Sequence, residues 1–148
     1  MERHYRIVCL LLFTAYLAAL IYFTIFAEAL GRIPGTESGN PANYNLIPFN
    51  EIKRFIMYRE QLGWKAVFLN IVGNLAAFIP AGFLIRLMCR SRRGFFKAVL
   101  CGFMLSLMIE CVQFIFKVGS FDVDDLLLNT LGAFIGALLT GVVMGDGS

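Results

Sequence analysis

The chain has 148 residues, of which 59% are hydrophobic and 16% charged, with a formal net charge of +3 and a mean hydropathy of +0.74. This is too apolar for a soluble domain of its size and too short for two domains, so the composition defines a single polytopic membrane unit. Nucleic-acid binding does not fit either, because the dense basic residues sit in one short link between apolar runs, where membrane topology explains them.

The first apolar run extends from Ile7 to Ala27 and predicts a transmembrane helix over residues 7–29. Basic residues precede it and Ala27-Glu28-Ala29 has the look of a cleavage site, yet the run exceeds the ~7–15 residues of a signal-peptide core, so a retained helix is expected. Residues 31–65 then form a loop. Its first part, Gly31 to Asn45, is rich in Gly, Pro, Asn and Ser and reads as a flexible turn region. From Asn50 to Gly63 the pattern becomes helical. Ile52, Phe55, Ile56 and Leu62 fall near one face, Glu51, Lys53, Arg54 and Glu60 fall elsewhere, and Asn50 is placed to cap the start. A short amphipathic helix lying on the outer leaflet is predicted, with Trp64 as an interfacial anchor.

Three further transmembrane helices are predicted over residues 66–88, 95–116 and 125–145, which makes the fold class all-α, a polytopic four-helix transmembrane bundle. In the second helix Asn70 and Asn74 share a row beside Gly73, Ala77 and Ala81, and Pro80 removes one backbone bond and should kink the helix. The third carries Gly102, Ser106, Glu110 and Gln113 at helical spacing; the fourth carries Asp125, Asn129, Gly132, Gly136 and Thr140. The simplest packing points these stripes at one another. Arg3 and Arg6 before the first helix, and Arg86, Arg90, Arg92, Arg93 and Lys97 around the link between the second and third, place both termini in the cytoplasm. The cysteines Cys9, Cys89, Cys101 and Cys111 lie in or beside apolar runs without paired spacing, against a disulfide or a thiolate zinc site, and His4 falls on the cytoplasmic side.

An ionisable group within lipid costs several kcal/mol and usually marks function. At ~1.5 Å of rise per residue, Glu110, Asn74 and Asn129 lie about 9, 10 and 5 Å inside the outer boundary, close enough for their side chains to meet. The candidate ligand-binding residues are therefore Glu110, Gln113, Asn70, Asn74, Asp122, Asp125 and Asn129, with Asn129 placed to meet Asn74 or to cap open carbonyls. Each amide also has a bland role in joining helices. Asp122, Asp124 and Asp125 suit a helix start, but one cap does not need all three, and with Glu110 they form an oxygen-ligand set for Mg2+ or Ca2+. No resident cofactor is expected beyond such a divalent cation.

These motifs carry a resemblance. Asn45-Leu46-Ile47-Pro48-Phe49, Asn70-Ile71-Val72-Gly73-Asn74, Phe78-Ile79-Pro80-Ala81-Gly82, Glu110 with Gln113, Asp122-Val123-Asp124-Asp125 and Asn129-Thr130-Leu131-Gly132 occur in the order seen in VanZ-like membrane proteins, so the chain resembles that family over nearly its whole length, as a single VanZ-like domain. Pro48, Phe49, Pro80 and Gly132 are the motif-supporting positions. Where some members carry Arg ahead of the acidic run, this chain has Gly119-Ser120, with Lys117 the nearest base. The resemblance implies a bacterial cell-membrane protein in a family whose name-giving member is linked to resistance to teicoplanin, a lipid-tailed glycopeptide. Taken with the polar stripes, it leads to an outward-facing cleft for an amphiphile, either a lipid-linked envelope precursor or a lipoglycopeptide. Two alternatives stay open: an enzyme acting on a lipid head group with a carboxylate acid and base, and a helix-packing subunit that joins copies of itself or another envelope protein.

Overall fold

The computed structural model describes residues 2–31, 44–89, 93–116 and 119–144. Its elements are α1 (Glu2–Gly31), β1 (Tyr44–Asn45), α2 (Asn50–Met57), α3 (Arg59–Leu62), α4 (Trp64–Met88), α5 (Gly94–Phe116), β2 (Phe121–Asp122) and α6 (Val123–Met144). Among the described residues α1, α4, α5 and α6 are each long and apolar enough to cross a membrane, which confirms the four-helix reading. Chain direction alternates through these four helices, so α4 and α6 run parallel with α5 returning between them.

The α4–α6 pair is the closest in the molecule, because small residues let the backbones meet. A Cβ at Gly136 would lie 2.0 Å from the Ile79 carbonyl oxygen and 2.8 Å from the Phe83 nitrogen, and one at Gly82 would lie 1.9 Å from the Ala133 carbonyl oxygen. One turn beyond Gly136, the Thr140 hydroxyl donates to the Phe83 carbonyl at 3.1 Å. Glycine at these points is thus a requirement of contact between helices. On α5, the buried residues Gly94, Ala98, Gly102, Ser106, Glu110 and Gln113 mark one stripe turned into the bundle, as the spacing predicts.

The second small-residue row of α4, for which the sequence indicates no partner, packs against another helix. Ala81 is buried with Phe78 and Leu20, with Tyr16 and Ala77 against them, so this row meets α1. Gly73 has open space where a Cβ would stand. The helix continues through Pro80, and next to the carbonyl of Ala76 that Pro80 leaves without its usual donor, the Ala77 carbonyl accepts from the Tyr16 hydroxyl at 2.7 Å. At the far end, Arg86 is buried, and its guanidinium donates to the Cys89 carbonyl at 3.0 Å. It closes the C-terminus of α4 as well as adding to the basic link.

The loop between α1 and α4 departs furthest from expectation. The flexible turn region lies outside the described residues except at Gly31, which ends α1, and at Tyr44–Asn45. Those two residues form a parallel pair with Phe121 and Asp122, an unexpected tie between two links distant in sequence. The amphipathic segment is two helices and not one, broken at Tyr58. Asn50 does not cap it; the cap position is Phe49, in the left-handed region at φ 65° with no side-chain bond of its own.

Candidate functional site

The polar residues gather at the end of the bundle where α4 and α6 start and α5 stops, and each acidic group has a distinct job. Asp122 precedes α6 and accepts the Asp124 N–H at 2.8 Å, a local N-terminal cap. Asp124, 1% exposed, turns away from its own helix. Its two carboxylate oxygens accept the Phe49 N–H and, at 3.1 Å, the Ile52 N–H, which caps α2 from another element. Asp125 accepts from the Asn74 side chain and so joins α6 to α4. Glu110 accepts the Asp122 N–H at 2.9 Å and fixes the backbone at the turn into α6. The lone cap that needed no more than one aspartate is therefore two caps and an interhelical link.

Asn45 adds the lacing on the loop side. Its amide nitrogen donates to Asp122 at 3.0 Å, while its carbonyl oxygen accepts from the Ile47 N–H and the Asn50 amide, each at 3.3 Å. The sequence reading placed Asn45 in a motif and gave it no role. Glu51 is likewise expected only to lie off the apolar face of the amphipathic segment. Glu51 is 8% exposed and pairs with Arg54 at 2.7 Å. Within α2, Glu51 turns inward and Ile52, Arg54 and Phe55 are partly buried, while Asn50, Lys53, Ile56 and Met57 stand exposed. Burial on this helix therefore does not follow its division into apolar and polar faces.

Of the other candidates, Gln113 is buried on the α5 stripe, and its backbone carbonyl accepts the Gly119 N–H at 3.4 Å. Asn70 is partly buried one turn before Asn74. Asn129 does not meet Asn74, which is occupied by Asp125; it donates to the Ser106 hydroxyl at 2.9 Å, and its own carbonyl oxygen is buried with no hydrogen-bond partner among the described residues. Lys117 lies outside the described residues, and Arg54 is the base whose charge reaches Asp122. For the proposed cation ligands, no three acidic, histidine or cysteine side chains among the described residues converge as a metal site. The reason is visible in the bonding: Asp122, Asp124, Asp125 and Glu110 spread their oxygens over peptide N–H groups and amides instead of sharing one point.

Burial raises the Glu51 carboxyl above its usual range; Arg54 works against this, and the charges of Asp122 and Asp124 add to it. Burial likewise raises Asp122, opposed by the Asp124 N–H and the Asn45 amide. A carboxyl raised on folding favours the folded form fully below its unfolded pKa and loses that contribution as pH climbs through the raised value. Docking of α2 should therefore weaken as pH rises from about 4, the ordinary carboxylate value, toward neutrality. The measurement is hydrogen exchange at Phe49 and Ile52, corrected for intrinsic rates. Glu51→Gln should flatten this dependence, and an unchanged slope in that variant would remove Glu51 as its source.

The fold and site together define a four-span helical membrane protein with a hydrogen-bonded acidic cluster at one end, joined there by a short amphipathic helix. A VanZ/LLP1 family model matches residues 13–144, and the chain is 30% identical over 131 residues to Protein VanZ of Enterococcus faecium, covering 88% of this chain and 72% of that protein. The chain belongs to the VanZ/LLP1 family. No solved structure matches it.

Proposed function

We propose that this protein works at the outer face of a bacterial cell membrane, with both termini in the cytoplasm, and binds an amphiphilic envelope ligand at its acidic end. The ligand class is a lipid-linked precursor or a lipoglycopeptide, and the physiological outcome is a contribution to teicoplanin resistance like that linked to the name-giving member of its family. One observation carries the reading: the buried Asp124 carboxylate of α6 caps the start of α2 while Ile56 and Met57 of α2 stand exposed, so α2 lies over the acidic end as a cover that an amphiphile can part. Within the bundle, the carbonyl oxygen of Asn129 is buried with no hydrogen-bond partner among the described residues, an acceptor suited to a ligand donor.

The test compares wild type with Glu110→Gln at matched abundance. Saturable binding of fluorescent teicoplanin to protein in nanodiscs, together with protection of cells, is expected for wild type and should drop in the variant. Equal protection by both would show that the acidic end is not the functional site. A second reading rests on how completely the carboxylates are paired with protein donors: the end is then a structural clasp in a subunit of an envelope complex, and Glu110→Gln acts only by lowering abundance.

A further inference from the structure

Basic residues are scarce on the non-cytoplasmic side of membrane proteins, yet the segment covering the acidic end holds Lys53, Arg54, Arg59 and Lys65. The structure sorts these charges by depth. Glu51, Asp122 and Asp124 are 8%, 8% and 1% exposed and turn inward, and Arg54 is drawn in to Glu51. Lys53, Arg59 and Lys65 stand exposed, with Glu60 the exposed acid between them. The surface is therefore basic outside and acidic inside, within a stretch that alternates in sequence.

This basic surface adjoins lipid. The membrane-crossing part of α4 starts at Val67, so Trp64 and Lys65 occupy the head-group level immediately before it. Trp64, Phe68 and Leu69 are 69%, 61% and 69% exposed, an apolar strip directly below the charges. The Arg59 guanidinium lies over the Trp64 ring at 5.5 Å. The ring face attracts the cation and keeps this guanidinium beside Trp64, where its N–H fork can take the oxygens of a phosphate.

We propose that Lys53, Arg59, Trp64 and Lys65 form a docking surface for the phosphate head group of an anionic membrane lipid. Charge complementarity selects the anionic head, and the exposed apolar strip receives its chains. The proposal goes beyond the acidic-end reading and depends only on the membrane-spanning fold. A bound anionic lipid would anchor α3 and the start of α4 while leaving α2 to its carboxylate caps.

Trp64 is the sole tryptophan of the chain, so it reports its own lipid shell. The full-length protein is placed in phosphatidylcholine nanodiscs with equal fractions of brominated phosphatidylglycerol or brominated phosphatidylcholine, and quenching of Trp64 is compared. The proposal predicts about fivefold enrichment of the anionic lipid, the effect of a single basic residue at a charged head-group surface. The enrichment should fall with added salt, vanish in Lys53→Gln/Arg59→Gln/Lys65→Gln, and persist in Lys97→Gln at the opposite end. Equal quenching by both lipids in wild type, or selectivity retained by the triple variant, overturns it. Displacement by inorganic phosphate at matched ionic strength also overturns it, since that would mark a site for soluble phosphate.

Discussion

Gly136→Leu should leave almost no folded protein. The side chain would have to occupy space held by the Ile79 carbonyl oxygen and the Phe83 nitrogen, 2.0 and 2.8 Å from the Cβ position, and backbone cannot turn aside as a flexible side chain can. Overpacking a core costs about 1–3 kcal/mol where side chains can adjust. Here α4 and α6 must separate, which also breaks the Thr140 bond to Phe83 and strains the Asn74–Asp125 link. The expected loss is at the upper end of that range or beyond, read as the yield of monodisperse protein in detergent and its thermal midpoint. Gly141→Ala, which meets nothing within 4 Å, should match wild type. If Gly136→Leu were as stable as Gly141→Ala, the close α4–α6 contact would be wrong.

The second large effect is expected at Asp124. Removing its carboxylate in Asp124→Ala strips the acceptors from the Phe49 and Ile52 N–H groups at the start of α2. A buried donor left without a partner costs about 1–3 kcal/mol, and two of them amount to at least a tenfold shift in docking. Hydrogen exchange of residues 44–58 should rise by that factor while the interior of α4 keeps its protection. Asp124→Asn, which retains one acceptor oxygen, should fall between. Unchanged exchange in Asp124→Ala would mean that the bond from the Asn50 amide to Asn45 holds the start of α2 without it.

The bundle was legible in the sequence because membrane thickness imposes one length on every spanning helix, and because small and polar residues at helical spacing mark the faces that meet protein. Ser106, Glu110 and Gln113 share a buried stripe as their spacing indicates, and Gly132, Gly136 and Thr140 face α4. The acidic end was located correctly and its wiring was not. Asn74 goes to Asp125 and Asn129 to Ser106, a choice set by helix rotation that spacing alone does not determine. The cap of α2 is supplied by a residue 72 positions away from Ile52, beyond any local rule. The burial of Glu51 is not legible because an amphipathic pattern indicates two faces without saying which residues meet protein when the surroundings are lipid. Arg86 was counted as one loop charge among several, whereas Gly94 leaves room for it to fold back onto the Cys89 carbonyl.

The parallel pairing of α4 with α6 also has a consequence for biogenesis. During synthesis α4 emerges with Asn74 and its glycine-matched surface before its partner exists, since α5 must first be threaded back. For that interval the amide and the groove depend on whatever escorts nascent helices through the insertion machinery. Arrival of α6 brings Asp125 to Asn74, Gly136 to Ile79 and Asp124 to α2, all from one helix. α6, made after the elements it joins, is therefore the keystone, and a chain released before α6 is complete has its most polar surfaces still open to lipid.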